Sequence, residues 1–371
     1  MPQLNTMKSK RMRLGYALAS LLTVFALPAH ADLDCVPTPA NPTINFGDDI
    51  NVWGTYPSVT QARSYRCTRS GNLGRITRLC LYIGNGSAGQ ALTAGGNYKP
   101  RILATGNTGT DNVLAFQIYK NAAKAPGDFW GTFAPNGVHL TLPERNWGTG
   151  SFAPFTENAD MYFQMEAFAS AIKNGTTTLA TIPPGIYTTS FAGGATLLKA
   201  SRVIDGGSID SDCNAQSGYI EYGSLNQQFP FEVKATVLPK CEMLSPTGTI
   251  GDIDFGAQTE TAVNLQGSTS FNMRCTRTTP YVIGLKPGNN NANGAGVMLK
   301  GSDQVSYQLR KAAGMGAAVW GNTGTAPSTP GNGVTSSGTG FSQTHIIYAT
   351  VASANAPVGS YEDTVTINVT Y

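Results

Sequence analysis

Charge is scarce in this sequence. Asp, Glu, Lys and Arg make up 13% of it, about half the share usual in soluble proteins. The formal balance of +3 gives no field that would draw in nucleic acid or an anionic membrane surface. Histidine is scarcer still, at three residues, and no H-x-x-H or C-x-x-C pair offers zinc-ligand spacing. No metal and no other cofactor is expected. Catalytic signatures are missing as well. There is no G-x-S-x-G elbow. Gly84-x-Gly86-x-x-Gly89 fits the dinucleotide fingerprint and follows a strand. No helical periodicity comes after it, so it reads as a loop. Glu144, Glu157, Asp160 and Glu166 are the carboxylates a glycosidase pair would draw on, but they read as solvated loop residues. No enzymatic activity is expected.

Long apolar runs are confined to one place. Lys8, Lys10, Arg11 and Arg13 precede an apolar stretch from Leu14 to Leu27, and Ala29-His30-Ala31 follows. This is the pattern of a secretory signal peptide, too short for a membrane span. Residues 1–31 are expected to be removed after Ala31. Losing four basic residues takes the formal charge from +3 to −1.

What the chain has in quantity is glycine, 43 residues, together with Thr/Asn/Ser-rich stretches between short alternating apolar runs. That composition predicts an exported all-β protein with turn-rich connections. Six cysteines follow the leader, an even count that suggests disulfides in an oxidising compartment.

The landmarks recur in order. The first half has Cys35, Asn45-Phe46-Gly47 and Tyr65-Arg66-Cys67; the second has Cys241, Asp254-Phe255-Gly256 and Met273-Arg274-Cys275. LYIGNG at 81–86 matches YVIGLKPGNN at 281–290, and VLAFQIYKNA at 113–122 matches QVSYQLRKAA at 304–313. Trp130-Gly131 and Trp320-Gly321 follow, then PPGIY at 183–187 and PVGSY at 357–361. The shared order predicts two tandem Ig-like β-sandwich domains, 32–238 and 239–371. Trp130 and Trp320 are assigned to structure. The repeat pairs Cys35 with Cys67 and Cys241 with Cys275, each closing a loop worth roughly 3–4 kcal/mol. Cys80 and Cys213 have no counterparts in the second half and are expected to pair with each other. The polar stretch 321–340 is expected to be a mobile loop of the second domain.

The two copies end differently. After PVGSY the second runs through Thr364–Tyr371. The first continues well past PPGIY to FPFEVKATV at 229–237, where Phe229, Phe231, Val233, Ala235 and Val237 alternate with polar residues. This segment is expected to be an internal completing strand of the first domain. Burying its four large apolar side chains contributes on the order of 10 kcal/mol. The second domain is expected to lack its final strand and to take one from elsewhere. After cleavage only three residues precede Cys35, so the chain is expected to accept a strand without donating one.

These motifs, with Tyr307-Gln308-Leu309 and the closing TVTINVTY, resemble the spore coat protein U family. That family includes subunits of archaic, Csu-type chaperone–usher pili. The resemblance implies a two-domain tip adhesin and a set of partners: a periplasmic pilus chaperone, an outer-membrane usher and an adjacent pilin subunit donating a strand. It implies export through the periplasm to the pilus tip, and attachment to an abiotic or cell surface with biofilm formation. A lectin-like tip and a secreted coat or matrix component stay open as alternatives.

The contact surface is sought in the additional length of the first domain. NWGTGSFAPF at 146–155 carries Trp147, Phe152 and Phe155 among small residues. FAGGATLLKA at 191–200 suggests a hairpin tip with Leu197 and Leu198, and SAGQALTAGG at 87–96 carries Ala91 and Leu92. Exposed together, such loops make a non-stereospecific apolar contact driven by water release. The alternative for Trp147, Phe152 and Phe155 is a small satellite core, and that for FAGGATLLKA is a strand with Leu197 or Leu198 in the core.

Overall fold

The computed structural model describes residues 33–54, 56–69, 76–89, 101–105, 113–125, 128–131, 139–146, 153–166, 181–203, 225–244, 250–324 and 326–371. The expected leader, 1–31, lies outside them, as do Ala91, Leu92, Trp147, Phe152 and Cys213. Among the described residues the regular structure is β throughout, with no α-helix.

The strands before residue 240 are β1 (Leu33–Thr38), β2 (Thr43–Asn45), β3 (Ser58–Gln61), β4 (Ser64–Arg69), β5 (Ile76–Ile83), β6 (Arg101–Ala104), β7 (Val113–Tyr119), β8 (Leu140–Thr141), β9 (Arg145–Asn146), β10 (Phe155–Asn158), β11 (Met161–Met165), β12 (Gly185–Ser190), β13 (Thr196–Val203), β14 (Leu225–Gln227) and β15 (Glu232–Val237). A seven-stranded sheet, β2-β15-β12-β6-β7-β11-β3, faces the smaller sheets β14-β13-β5-β8 and β1-β4-β10. One core, reaching from Cys35 to Val237, lies between them. The sequence reason is alternation: β11, MYFQM, buries every second residue, and β15, EVKATV, does the same. β7, VLAFQIY, is buried along its whole length, as its apolar run requires.

After residue 240 come β16 (Cys241–Met243), β17 (Val263–Cys275), β18 (Pro280–Lys286), β19 (Ala295–Lys300), β20 (Asp303–Arg310), β21 (Val334–Ser337), β22 (Gln343–Ser353) and β23 (Thr366–Thr370). They form a five-stranded sheet, β16-β17-β22-β20-β19, and a three-stranded sheet, β21-β18-β23, around a second core. The stretch 321–340, expected as a mobile loop, is structured. Thr323 and Asn332 bond each other through main chain and side chain, and Val334–Ser337 pairs with β18. Side-chain amides and hydroxyls there take the place of apolar anchors.

The duplication extends to individual hydrogen bonds. Trp130 Nε1 donates to Leu81 O at 2.7 Å, and Trp320 Nε1 donates to Ile283 O at 2.8 Å. Two residues on, Ile83 N donates to Gly131 O and Leu285 N to Gly321 O. Tyr187 and Tyr361 each donate a phenolic proton to the carbonyl four residues back, Pro183 and Pro357. Asn45 and Asp254 each accept from the second amide ahead, at Gly47 and Gly256, closing an Asx turn. A Cβ at Gly86 would stand 2.2 Å from Thr189 Oγ1, and one at Gly288 2.2 Å from Asp363 Oδ1. The disulfides Cys35–Cys67 and Cys241–Cys275 each join residues directly opposite in an antiparallel pair. Cys80 is also disulfide-bonded; its expected partner, Cys213, is outside the described residues.

Among the described residues, the two units touch near Trp53 and Thr181. Trp53 Nε1 donates to Gly340 O at 2.9 Å, and the Arg274 guanidinium lies 4.7 Å from the Trp53 ring centroid while pairing with Glu242. Arg277 reaches Thr181 O at 3.3 Å.

Each buried tryptophan N–H satisfies a buried strand carbonyl. Trp130→Phe and Trp320→Phe are each expected to lower the stability of their own unit by about 1–3 kcal/mol. Urea unfolding of the full chain checks this; a loss in either variant within measurement error would show that the carbonyl does not depend on the indole.

Candidate functional site

The duplicated bonds fix which residues correspond in the two units, and the comparison isolates one difference. In the first unit β15 lies between two strands. It pairs antiparallel with β12 from Gly185↔Val237 to Ser190↔Glu232, and parallel with β2 from Glu232↔Thr43 to Lys234↔Asn45. Further amides extend the contact: Phe46 N donates to Lys234 O, Ile50 N to Thr236 O, and Phe191 N to Phe231 O. Phe229, Phe231, Val233, Ala235 and Val237 are all buried, at 0–1% exposure. The segment expected to complete the first unit lies inside it.

In the second unit, residues 359–364 take the place of β12. Leu299 and Glu362 exchange backbone bonds where Ala104 faces Thr188 in the first unit. The turn at Asp254-Phe255-Gly256 takes the place of β2's end. Among the described residues no strand stands between these two segments, and no backbone bond joins them. The side chains register the difference. Ile44, Phe46, Tyr187 and Phe191 are buried in the first unit. Their counterparts Ile253, Phe255, Tyr361 and Val365 are half-buried and pack against the second core without being closed over. Ile250, Ile367 and Val369 share this state. The result is a furrow of half-buried apolar side chains with strand-forming backbone on each side. It offers an extended peptide main-chain hydrogen bonds and alternate apolar seats.

The closing run of the chain is not one strand, as its alternation suggests. It lies beside β19 at 359–364 and crosses to pair with β18 at Thr366–Thr370. The first unit makes the same crossing from β12 to β13, with a turn at Gly193 and Gly194, whose φ values are +60° and +95°. Where β12 gains β15 and β13 gains β14, β23 is an edge strand.

Polar groups in the second unit are held by the same geometry. Tyr307 OH donates to Asp363 Oδ2 at 2.6 Å, and burial together with that carboxylate pushes the phenol well above its ordinary range. At the β17–β22 pair, Phe271 lies opposite His345. Tyr281 OH lies 3.1 Å from His345 Nε2, and burial holds this imidazole below its ordinary value.

Of the proposed contact residues in the first unit, two are placed inside. Phe155 opens β10 opposite Cys67 and is 4% exposed. It was expected on an exposed loop, but pairing of β10 with β4 turns its ring into the core. Leu198 lies within β13 opposite Leu81 and is 1% exposed, which is the strand alternative and not the exposed hairpin tip. The tip is the Gly193-Gly194 turn, and the leucines come after strand pairing has begun. Leu197 points to the other face, half-buried beside Cys80 and Tyr82. Two groups went unnoticed in the sequence. The furrow residues Ile253, Phe255, Tyr361 and Val365 read as ordinary core positions. Arg63, four residues before Cys67, was visible only as a departure from Phe271, four before Cys275.

Residues 227–368 match the model of the Spore Coat Protein U domain. The match spans β15 and nearly all of the second unit. Among solved structures, the chain is similar to the tip subunit complex CsuC–CsuE of archaic chaperone–usher Csu pili from Acinetobacter baumannii. The identity there is 16% and the TM-score 0.43, covering 92% of this chain and 100% of that one. It is also similar to the CupB6 tip adhesin from Pseudomonas aeruginosa, at 12% identity and a TM-score of 0.36 over 91% of this chain and 95% of that one. A chaperone–tip adhesin complex of CFA/I fimbriae biogenesis matches at 12% identity and a TM-score of 0.31, over 89% and 95% of the two chains. Scores this low carry no weight for the site. No curated protein matches the chain.

The depressed His345 imidazole sets a pH dependence. The unfolded chain takes up a proton near pH 6.5, while the folded second unit resists it to lower pH. Stability is therefore present above about pH 6.5 and is lost as pH falls through the interval down to the folded value. His345→Gln is expected to flatten this slope. Denaturation of the full chain at several pH values checks it; an unchanged slope in the variant would place the titrating group elsewhere.

Proposed function

We propose that this chain is a non-enzymatic tip adhesin of an archaic chaperone–usher pilus, with an adhesin domain at 32–238 and a pilin domain at 239–371. The observation that carries this reading is the contrast between the two copies. One strand position is occupied by β15 in the first unit, and among the described residues no strand fills its counterpart between 250–256 and 359–365 in the second. An open furrow of this kind exposes apolar side chains and unpaired edges to water, which favours a borrowed strand. A periplasmic chaperone fills it first, an outer-membrane usher passes the subunit outward, and an adjacent pilin subunit then supplies the lasting strand. The Spore Coat Protein U match over 227–368 supports the pilin assignment. The burial of β15 supports the terminal position. The segment that precedes Cys241 is already committed to its own first unit and is not free for a neighbour.

The adhesin domain meets the target surface in this reading. With Phe155 and Leu198 in the core, the contact falls to the segments carrying Ala91, Leu92, Trp147 and Phe152, and to the partly exposed Leu197. Apolar attachment to abiotic or cell surfaces, and biofilm formation through it, need no sugar-binding constellation.

Two outcomes test the proposal. Adding a peptide from a partner pilin's donor strand, or the chaperone, is expected to raise the melting temperature of the second unit in the full chain. Val365→Arg is expected to abolish that shift and leave the first unit unaffected. A chain whose second unit is already stable and unresponsive would overturn the acceptor role. Trp147→Ser is expected to weaken adhesion to polystyrene several-fold with surface display unchanged; unaltered adhesion would remove that loop from the contact.

A further inference from the structure

Arg63 is a charged side chain buried at 2% exposure. Its Nη2 donates to Ala40 O and to Pro230 O, each at 3.1 Å. Its guanidinium carbon lies 5.4 Å from the Phe229 ring centroid and 6.0 Å from those of Phe231 and Tyr65. Nε and Nη1 have no hydrogen-bond partner among the described residues. Asp160, the carboxylate nearest in the bonding pattern, accepts from the Arg63 backbone amide and not from the guanidinium. A cation in such surroundings is costly unless carbonyl oxygens and aromatic faces offset its lost hydration. Three of the five groups that do so, the Pro230 carbonyl and the Phe229 and Phe231 rings, belong to the segment that leads into β15.

We propose that Arg63 reads the sequence of the strand that completes the first unit. The Phe-Pro-Phe start of that strand sets two ring faces beside the buried cation, whereas a strand beginning with aliphatic residues leaves it only main-chain carbonyls and the Tyr65 ring. Arg63 is thus a specificity-determining residue that bars foreign strands from the first unit. The inference rests on the reading that strands are exchanged between subunits of this kind. Register supplies the counterpart: four residues before the second cysteine of each disulfide stands Arg63 in one unit and Phe271 in the other. Phe271 lies 5.4 Å, ring to ring, from His345, so an aromatic strand start finds no buried guanidinium there. The two units therefore select different strands, and a chain that fills one position from within keeps the other for a partner.

A double-mutant cycle in the full chain tests this, read as hydrogen exchange of the β12 and β15 amides. Phe229→Leu with Phe231→Leu is expected to speed exchange about tenfold in the Arg63 background and less than about threefold with Arg63→Met. Arg63→Gln replaces the Met variant if the latter does not accumulate, with the same expectation. An arginine indifferent to these rings would give the same ring effect in both backgrounds, and that result would overturn the proposal. The cycle is read wholly within the first unit. Failure of the second unit to bind a donor peptide would sink the acceptor reading and leave this measurement intact.

Discussion

The two-sided pairing of β15 is the constraint on which the first unit depends. Six residues bond antiparallel to β12 on one edge and the first three of them parallel to β2 on the other, while their inward side chains, with Phe229 and Phe231 before them, close the core. A strand paired on both edges satisfies its own backbone and that of both neighbours. Take it away and two edges and a row of buried rings meet water together. Phe231 shows how closely the parts are joined: its ring stacks on Phe191 at 4.3 Å and stands edge-on to Phe163 at 5.9 Å. The strand is a part of the core that arrives last in sequence.

The second unit repeats the scaffold around that place. Its tryptophan, tyrosine and Asx-turn bonds are those of the first, so the positions flanking the furrow are as well fixed as those flanking β15. What changes is burial. Tyr361 makes the same bond to a proline carbonyl as Tyr187, yet it is half-exposed where Tyr187 is fully buried. In the proposed acceptor role, a frame held by these bonds leaves little of the receiving backbone to be ordered on binding.

Much of the fold was legible because it was written twice. Period-two alternation marked β11 and β15, and the ordered landmarks aligned the halves before any contact was known. The two described disulfide pairs follow from the same alignment. The contact loops were less legible. Phe155 and Leu198 are apolar residues in turn-rich sequence, a pattern shared by exposed tips and by short strands that have just begun to pair. Composition does not separate these, since the direction of a side chain depends on register against β4 and β5, strands far away in the chain. The polar run 321–340 misled for the opposite reason: its order comes from side-chain-to-backbone bonds such as Thr323 to Asn332, which leave no apolar trace.

By itself the sequence determined the β character, the duplication and the presence of one additional alternating segment before Cys241, because these depend on local period and order. The tertiary structure alone decided where that segment goes. FPFEVKATV precedes the second unit's first cysteine and lies within the reach of the Spore Coat Protein U match, yet it packs backward between β2 and β12. The side of a strand's neighbours is a matter of long-range pairing, and period-two alternation is the same whichever sheet receives it. The same holds for Arg63, a cation whose surroundings of carbonyls and rings come from Ala40, Tyr65 and the 229–231 segment. Only folding brings those groups together around one buried charge.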